Sequence, residues 1–218
     1  MSSDLSAFLS DKCVLITGGT GFVGKALVEK ILRSVPDVKT VFLLLRPKSG
    51  QTAEKRLKQL LANSVFDAIR RLDGQQLAKV VAVCGDVTHE ELGLNPLDRH
   101  ALQDAVHVVF NCAATIRFDE PLRRALQLNV VSAQRLLRLV QSFARIEAVV
   151  HVSTAYCTRD KRDVRESVEA EGVSVERLLD ASEWLEAELL EGVAKRQLFG
   201  ERHSSYHFTK SLAEGVFA

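Results

Sequence analysis

The sequence predicts an α/β fold in which helices flank a doubly wound parallel sheet. Short apolar runs alternate with longer segments of helical periodicity, which is the order of β-α-β units. The runs are apolar at nearly every position, as in parallel strands that helices cover on both faces. With 46% hydrophobic and 26% charged residues over 218 positions, the chain has the composition of one soluble globular domain.

The apolar runs place five strands along the chain. They are expected at Lys12–Thr17, Thr40–Leu45, Lys79–Cys84, Val106–Asn111 and Ala148–Ser153. Helical periodicity predicts helices at Phe22–Arg33, Thr52–Leu61, Pro96–Gln103 and Leu122–Phe143. Pro121 is placed to open the fourth of these helices. A final helix is expected to begin at Ser204 or Ser205, either of which suits a cap, and to run towards Ala218.

The domain organisation follows from where this alternation holds. Residues 1–10 are expected to form an N-terminal tail, and 11–218 one doubly wound domain. The alternation stops over 158–202, where charge is dense and Val175–Leu190 has helical spacing around Leu178, Leu179, Trp184, Leu185 and Leu189. This region is therefore predicted to be a helical insertion. Because the chain stops soon after its last helix begins, we expect a fold truncated before its sixth strand and its C-terminal substrate region.

Composition excludes several classes of function. The 29 Lys and Arg against 28 Asp and Glu give a formal net charge of +1, which provides no electrostatic reason to expect nucleic acid or an anionic membrane as partner. No run approaches the roughly 20 apolar residues of a membrane helix. Met1–Ser10 lacks the basic segment of a signal peptide. Four cysteines lie far apart without metal-ligand spacing, so we expect reduced thiols, no metal site and an intracellular, soluble chain.

The first predicted strand runs directly into a glycine-rich turn and then a helix. Gly18 can adopt the backbone angles of a sharp turn, Gly21 lets the main chain approach a diphosphate, and Gly24 lets the helix pack close to the strand. The N–H groups at the helix start attract phosphate. The turn therefore predicts a dinucleotide site, which makes 11–218 one Rossmann-like nucleotide-binding domain.

Three further segments extend this predicted site. The second strand ends in Arg46, where NAD-preferring proteins generally carry an acid, so a 2′-phosphate and NADP are favoured over NAD. Asp86, followed by Val87 after the third strand, can accept a hydrogen bond from an adenine amino group. After the fourth strand, Ala113 leaves room for the ribose and diphosphate of a cofactor.

The last helix carries Tyr206 and Lys210 on one face, four residues apart. A cation close to a phenol favours the phenolate, so Lys210 is expected to lower the pKa of Tyr206. At the end of the fifth strand, Ser153 and Thr154 present two hydroxyls. Since successive strand residues point to opposite faces, one of the two is expected to reach the site and polarise a carbonyl. His151 is expected to pack against the sheet.

Taken in order, these segments resemble the reductase domain of alcohol-forming fatty acyl-CoA reductases, in the extended short-chain dehydrogenase/reductase superfamily. The resemblance covers the chain from about Phe8 onwards. It rests on Thr17–Gly24 (TGGTGFVG), Val41–Pro47 (VFLLLRP), Val108–Phe118 (VVFNCAATIRF), His151–Cys157 (HVSTAYC), Glu183–Leu190 (EWLEAELL) and Tyr206–Glu214 (YHFTKSLAE).

The resemblance implies a role for each matching residue. The catalytic residues would be Thr154, chosen over Ser153 because relatives use the second position of the pair, with Tyr206 and Lys210. Asn129 would lie mid-helix and serve a water-linked proton relay to Lys210; without the resemblance, a local helix hydrogen bond explains it equally well. The NADPH-binding residues would be Gly18, Thr20, Gly21, Phe22, Val23, Gly24, Arg46, Asp86, Val87, Ala113, Tyr206 and Lys210.

The function that the resemblance implies is NADPH-dependent reduction of long-chain acyl-CoA to a fatty alcohol through an aldehyde, by a full-length parent. Residues 1–218 alone are expected to bind NADPH weakly and to reduce no acyl-CoA. Membrane association is expected only through the absent C-terminal part. The implied location of the parent is the peroxisomal or endoplasmic reticulum membrane.

Two other interpretations remain open from the residues. One is a different extended reductase, acting on carrier-bound thioesters or on a sugar nucleotide. The other is a non-catalytic protein that senses NADP(H) and passes its state to a partner. The products formed, or their absence, distinguish these interpretations.

Overall fold

The computed structural model describes residues 4–157, 166–168, 172–200 and 204–218. The chain divides into two compact units. The first unit comprises Met1–Ala113 and Arg138–Val150, and the second unit comprises Ala114–Leu137 and His151–Ala218. Two of the three boundaries fall inside a helix and a strand, which is why the composition of the sequence marks no linker there.

A five-stranded sheet in the order β3-β2-β1-β4-β5 forms the base of the first unit. β1 pairs in parallel with β2 and β4, and β2 pairs in parallel with β3. The strands are β1 (Cys13–Thr17), β2 (Thr40–Leu45), β3 (Val80–Cys84), β4 (Val106–Asn111) and β5 (Ala148–His151). All five predicted strands are present, and the predicted Rossmann-like α/β fold is confirmed.

Helices of the first unit connect these strands. They are α1 (Asp4–Leu9), α2 (Phe22–Ser34), α3 (Ala53–Leu61), α4 (Asp67–Asp73) and α5 (Pro96–Ala105), with 3₁₀ turns at Ser64–Phe66, Gly74–Lys79 and Glu90–Gly93. The side chains of Thr52 and Asn95 cap α3 and α5 by accepting hydrogen bonds from N–H groups in their first turns. Every residue of β1 is buried, as expected for a central strand that helices cover on both faces.

The structure contains two helices of the first unit, α1 and α4, that the sequence did not predict. Residues 1–10 were expected as a tail, but α1 occupies part of that segment, with Leu9 buried and the Ser6 hydroxyl donating to the Ser34 carbonyl oxygen at 3.0 Å. Both α1 and α4 are too short for a helical period to stand out. Their position depends on contacts with distant residues.

The second unit is helical. It contains α6 (Leu122–Ala125), a π-helical turn (Leu126–Val131), the first part of α7 (Ser132–Val140), α8 (Val175–Trp184), α9 (Ala187–Val193), a second π-helical turn (Ala194–Leu198) and α10 (Ser205–Phe217). The predicted helix over Leu122–Phe143 is therefore continuous but contains a π turn. Ser204 caps α10, accepting a hydrogen bond from the N–H of His207, as one of the two predicted starts requires.

The predicted insertion contributes to the core of the second unit, although 158–165, 169–171 and 201–202 of it lie outside the described residues. Leu178 and Leu190 are buried there, whereas Trp184 and Leu189 of the same helical pattern are exposed. The predicted helix is interrupted because Leu185 and Glu186 adopt extended backbone angles. The buried core residues are Leu122, Leu126, Val130, Leu178, Leu190, Ala194, Phe199, Phe208 and Leu212.

Among the described residues, none of the helices combines the length and the hydropathy that crossing a bilayer requires.

Candidate functional site

The glycine turn between β1 and α2 has no room for side chains at two positions. Gly18 has φ of +67°, and a Cβ there would lie 2.6 Å from the Ala113 nitrogen. A Cβ on Gly24 would lie 2.4 Å from the carbonyl oxygen of Gly18. These contacts give Gly18 and Gly24 the turn-forming and close-packing roles that the sequence predicts for them.

The start of α2 is open to an anion. Gly21 caps the helix in extended conformation without a side-chain hydrogen bond, and no acidic residue lies in the first turn. The side chains of Phe22 and Val23 are exposed, while that of Thr20 is half-buried. The positive end of the helix dipole is therefore not neutralised by an acid from its own first turn, which favours a phosphate there.

Two buried polar residues, not singled out from the sequence, fix the loop beside the glycine turn. The Thr17 hydroxyl donates to the Asn111 side-chain oxygen at 2.6 Å, and it accepts from the Ala113 N–H at 3.2 Å. Thr17 and Asn111 are the last residues of adjacent strands β1 and β4. The sequence did contain a signal for this contact, since a polar residue ends each of two apolar runs that are predicted to be strands.

Charged side chains gather where β2 and β3 end. Arg46 Nη1 lies 3.7 Å from Asp86 Oδ2, and Asp86 Oδ1 accepts from the N–H and hydroxyl of Thr88 at 3.0 and 2.8 Å. Burial acts to raise the pKa of Asp86, but the two Thr88 hydrogen bonds and the charge of Arg46 outweigh it, so that pKa is lowered. Asp86 is therefore a carboxylate at neutral pH and can accept from an amino group.

Arg56 is a second guanidinium at this end of β2 that sequence reasoning missed. Its Nη1 donates to the Arg46 carbonyl oxygen at 2.5 Å. The two arginines are ten residues apart, so only the turn that joins β2 to α3 makes them neighbours.

Within the second unit, α10 carries the candidate reaction residues. Lys210 is 2% exposed, and its Nζ donates to the Val152 carbonyl oxygen at 2.6 Å and lies 3.1 Å from His151 Nε2. Burial, together with the charge of Lys210, lowers the pKa of His151 to about 3. His151 is therefore neutral at physiological pH, and its ring stacks on Phe217 at 4.7 Å between centroids.

Tyr206 differs from expectation in the direction of its pKa shift. Burial raises the pKa of Tyr206, a hydrogen bond with Thr154 opposes that rise, and the neighbouring Cys157 adds to it; the pKa is raised overall. The expectation that Lys210 lowers it is wrong, because burial dominates. The phenol is therefore protonated at neutral pH, the state in which it can donate a hydrogen bond.

The two hydroxyls after β5 have different partners. The Thr154 side chain lies close enough to Tyr206 to lower its pKa, whereas the Ser153 hydroxyl lies 3.2 Å from the Cys157 sulfur. Burial raises the pKa of that thiol to about 11. The partner of Ser153 is therefore Cys157, and Thr154 stays the predicted hydroxyl that acts with Tyr206.

Asn129 lies in the π-helical turn and is buried. Its Oδ1 accepts from the Thr115 N–H and its Nδ2 donates to the Thr209 hydroxyl, both at 2.9 Å. Asn129 thus links the segment before α6 to α10, rather than forming a bond within its own helix.

The structure brings the predicted site residues together in two groups, one in each unit. The first unit holds the glycine turn and Ala113, with Arg46 and Asp86 paired and Val87 half-buried beside them. The second unit holds Thr154, Tyr206 and Lys210. Within the residues that the structure describes, no three His, Cys, Asp or Glu side chains gather as metal ligands would.

A doubly wound sheet with a glycine turn at the end of β1 defines a Rossmann-type domain. The start of α2 fits a dinucleotide diphosphate, because Gly21 caps the helix without a side-chain hydrogen bond and no acidic residue lies in its first turn. The profile of the male sterility protein family, NAD_binding_4, matches residues 16–218. The chain belongs to this family, whose domain binds a nicotinamide cofactor.

The chain is also similar to proteins named fatty acyl-CoA reductase 1. It is 40% identical to those of Gallus gallus and Xenopus laevis over 209 residues, and 38% identical to that of Homo sapiens. These alignments cover 96% of the chain but 40% of each relative, so the chain spans about two fifths of the length of these relatives.

Solved structures with the same fold include reductase domains. The terminal R domain of the myxalamid PKS-NRPS pathway has a TM-score of 0.64 at 21% identity, over 95% of this chain and 45% of that one. A thiolation-reductase di-domain from an archaeal non-ribosomal peptide synthetase has a TM-score of 0.60 at 20% identity, over 95% and 38%. At this level of identity, the likeness concerns the fold.

Proposed function

We propose that this chain is the cofactor-binding and catalytic part of an NADPH-dependent reductase that converts long-chain fatty acyl-CoA to a fatty alcohol through an aldehyde. The observation that carries the proposal is that the Thr154 side chain lies close enough to Tyr206 to act on its pKa, because the reaction needs two donors at one oxygen. Lys210 is buried on the same helix as Tyr206. The substrate class is supported by the names of the curated relatives.

The residues of the first unit would bind the cofactor. The diphosphate would lie against the glycine turn at the start of α2, with Thr20, Gly21, Phe22 and Val23 supplying main-chain contacts. Asp86 would accept from the adenine, next to Val87. Arg46 and Arg56 would contact the 2′-phosphate, because a guanidinium can bind phosphate through two parallel hydrogen bonds.

The residues of the second unit would act on the substrate carbonyl. When bound, the reduced nicotinamide would supply a hydride to the carbonyl carbon. Thr154 and Tyr206 donate hydrogen bonds to the oxygen as negative charge develops there. In the first reduction the C–S bond then breaks to give the aldehyde, and coenzyme A leaves as a thiolate that takes a proton from solvent. In the second reduction Tyr206 gives its proton to the oxygen of the aldehyde, yielding the alcohol. Lys210, held by the Val152 carbonyl oxygen, places its charge on the helix that carries Tyr206.

The substitution Tyr206→Phe tests this assignment. In the complete protein, we expect kcat/KM for acyl-CoA to fall by about 10²–10⁴-fold, the usual contribution of a positioned proton donor. NADPH affinity of the 218-residue chain, measured by calorimetry, should change little. Tyr156→Phe removes the hydroxyl of an exposed tyrosine and serves as control. Unchanged alcohol formation by Tyr206→Phe, identified by mass spectrometry, would contradict the proposal.

Cofactor choice is tested separately with Arg46→Gln. The dissociation constant for NADPH should rise by about 10-fold or more, because a charge-assisted hydrogen bond contributes about 1.5–3 kcal/mol, while that for NADH should change little. Arg33→Gln, which removes an exposed guanidinium paired with Glu29, serves as control. Equal loss of affinity for both cofactors would contradict a 2′-phosphate contact.

The substrate class is tested by incubating the complete protein with NADPH and a panel of acyl-CoAs. Fatty alcohol is the expected product. Turnover only of carrier-bound thioesters or of a nucleotide sugar would overturn the substrate assignment, and cofactor binding without any reduction would indicate a sensing protein. A peroxisomal or endoplasmic reticulum location stays a prediction, which fluorescence microscopy of the tagged complete protein tests.

A further inference from the structure

Residues 115–120 of the second unit, here the 115–120 arm, are held at both ends by hydrogen bonds that are buried or partly buried. The Thr115 N–H donates to Asn129 Oδ1 at 2.9 Å, and the Thr115 hydroxyl donates to Glu120 Oε2 at 3.1 Å. The Ser205 hydroxyl, at the start of α10, donates to the Glu120 carbonyl oxygen at 2.5 Å. The arm is thereby fixed to the helix that carries Tyr206.

Glu120 is the residue that closes this arm. Its carboxylate is almost fully buried, and its second oxygen, Oε1, lies 3.1 Å from Nε of the exposed Arg124. A buried carboxylate is costly unless it is paired and hydrogen-bonded, so its presence indicates that the conformation of the arm matters.

The arm presents one aromatic ring to solvent. Arg117 and Asp119 pair through two parallel contacts of 3.2 and 3.0 Å on either side of Phe118. The Phe118 side chain is 61% exposed, although its ring centroid lies 5.3 Å from that of Tyr206 and 5.1 Å from that of His207. Phe118 is thus an exposed apolar surface directly beside the proposed proton donor.

We infer that Phe118 is the surface against which the acyl chain of the substrate lies, and that Glu120 is a positioning residue that holds it there. The inference rests on the proposed function. A thioester carbonyl hydrogen-bonded to Thr154 and Tyr206 carries its first methylenes within a few ångströms of the Tyr206 ring. Phe118 is an exposed ring whose centroid lies 5.3 Å from that of Tyr206. Burying methylenes on it adds binding energy that a short acyl group cannot supply.

The test compares long-chain with short-chain substrates in the complete protein. We expect Phe118→Ala to lower kcat/KM for a sixteen-carbon acyl-CoA by about 10-fold or more, the effect of losing one or two methylene contacts, and to change that for a two-carbon acyl-CoA much less. We call the kcat/KM for the sixteen-carbon substrate divided by that for the two-carbon substrate the long-to-short ratio. Trp184→Ala, which removes a similarly exposed aromatic ring from α8, should leave this ratio unchanged.

Glu120 is tested by rescue. Glu120→Ala should lower the long-to-short ratio as Phe118→Ala does, whereas Glu120→Gln should keep most of the ratio, because an amide oxygen still accepts from Thr115. The double variant Phe118→Ala with Glu120→Ala should have no lower ratio than Phe118→Ala, since both act through one ring. A purely structural role of Glu120 would lower the melting temperature without moving the ratio.

The outcomes separate this inference from the proposed function. If the wild-type protein reduces no acyl-CoA of any length, the proposed function falls and the inference falls with it. If the wild-type protein is active and Phe118→Ala lowers activity equally for both lengths, or not at all, only the inference is overturned. A ratio lost in Glu120→Gln as fully as in Glu120→Ala overturns the positioning role of Glu120.

Discussion

The two units of this chain bury polar side chains to different extents. In the described part of the chain, the buried polar or charged residues of the first unit are Thr17 and Asn111. Among its described residues, the second unit buries nine polar or charged residues: Glu120, Asn129, Ser132, Ser182, Ser204, Ser205, Thr209, Lys210 and Ser211. The first unit thus forms its candidate site chiefly from backbone geometry, whereas the second unit forms its own from buried hydrogen-bonded side chains.

This difference has a physical consequence for how each unit fails. A site formed by closely packed backbone, such as the glycine turn, has no room for side chains at its glycines. It is therefore most sensitive to an added Cβ. A site of buried polar side chains requires that every donor and acceptor keep a partner, so it is most sensitive to the removal of one. Substitutions in each unit can therefore test this contrast.

The largest effect is expected from Gly24→Ala in the first unit. The added Cβ would lie 2.4 Å from the Gly18 carbonyl oxygen, so the turn must shift, and we expect a loss of about 3 kcal/mol or more in the free energy of unfolding, as for an overpacked site. Gly215→Ala in α10 meets no atom within 4 Å and should instead stabilise by about 0.5–1 kcal/mol, as alanine does in a helix. Urea denaturation measures both, and destabilisation of equal size would contradict the contrast.

Asn129→Ala in the second unit is expected to have the next largest effect. It leaves the partly buried N–H of Thr115 without its acceptor and removes a buried bond to Thr209, which should cost about 2–4 kcal/mol for two lost partners. Asn63→Ala, which removes an exposed cap accepting from Val65, should cost about 1 kcal/mol. Equal losses in the two variants would show that burial of the Asn129 network adds nothing.

The smallest of the three effects is a pH dependence that His151 causes. Its pKa is about 3 in the folded chain against an ordinary 6.5, so between these values the unfolded state binds the extra proton. The free energy of unfolding therefore keeps the full contribution of neutral His151 well above pH 6.5. Acidification lowers it, by about 2 kcal/mol between pH 7 and pH 5. His151→Phe should remove that fall while keeping a ring on Phe217. His100→Gln, at an exposed position of the first unit, should keep it; an unchanged slope in His151→Phe would contradict the assignment.

Most of the first unit was predictable from the sequence because its signals are local. A buried parallel strand is a continuous apolar run, and a turn with φ of +67° at Gly18 requires glycine, so β1 and the turn can be identified without knowing their neighbours. The same applies to the Ser204 cap, whose partner His207 lies three residues away. Arg56 was not predicted as a site residue, because its hydrogen bond to Arg46 depends on the turn between them.

The sequence by itself determined the order of strands and helices, the glycine turn and the spacing of Tyr206 and Lys210, since each is set by residues within a few positions of one another. Only the tertiary structure decided that burial, not Lys210, sets the direction of the Tyr206 pKa, and that Asn129 joins Thr115 to Thr209. Desolvation depends on every atom packed around a group, and the bonds of Asn129 span 14 and 80 residues. No local pattern contains such information, because it arises only when distant segments fold against each other.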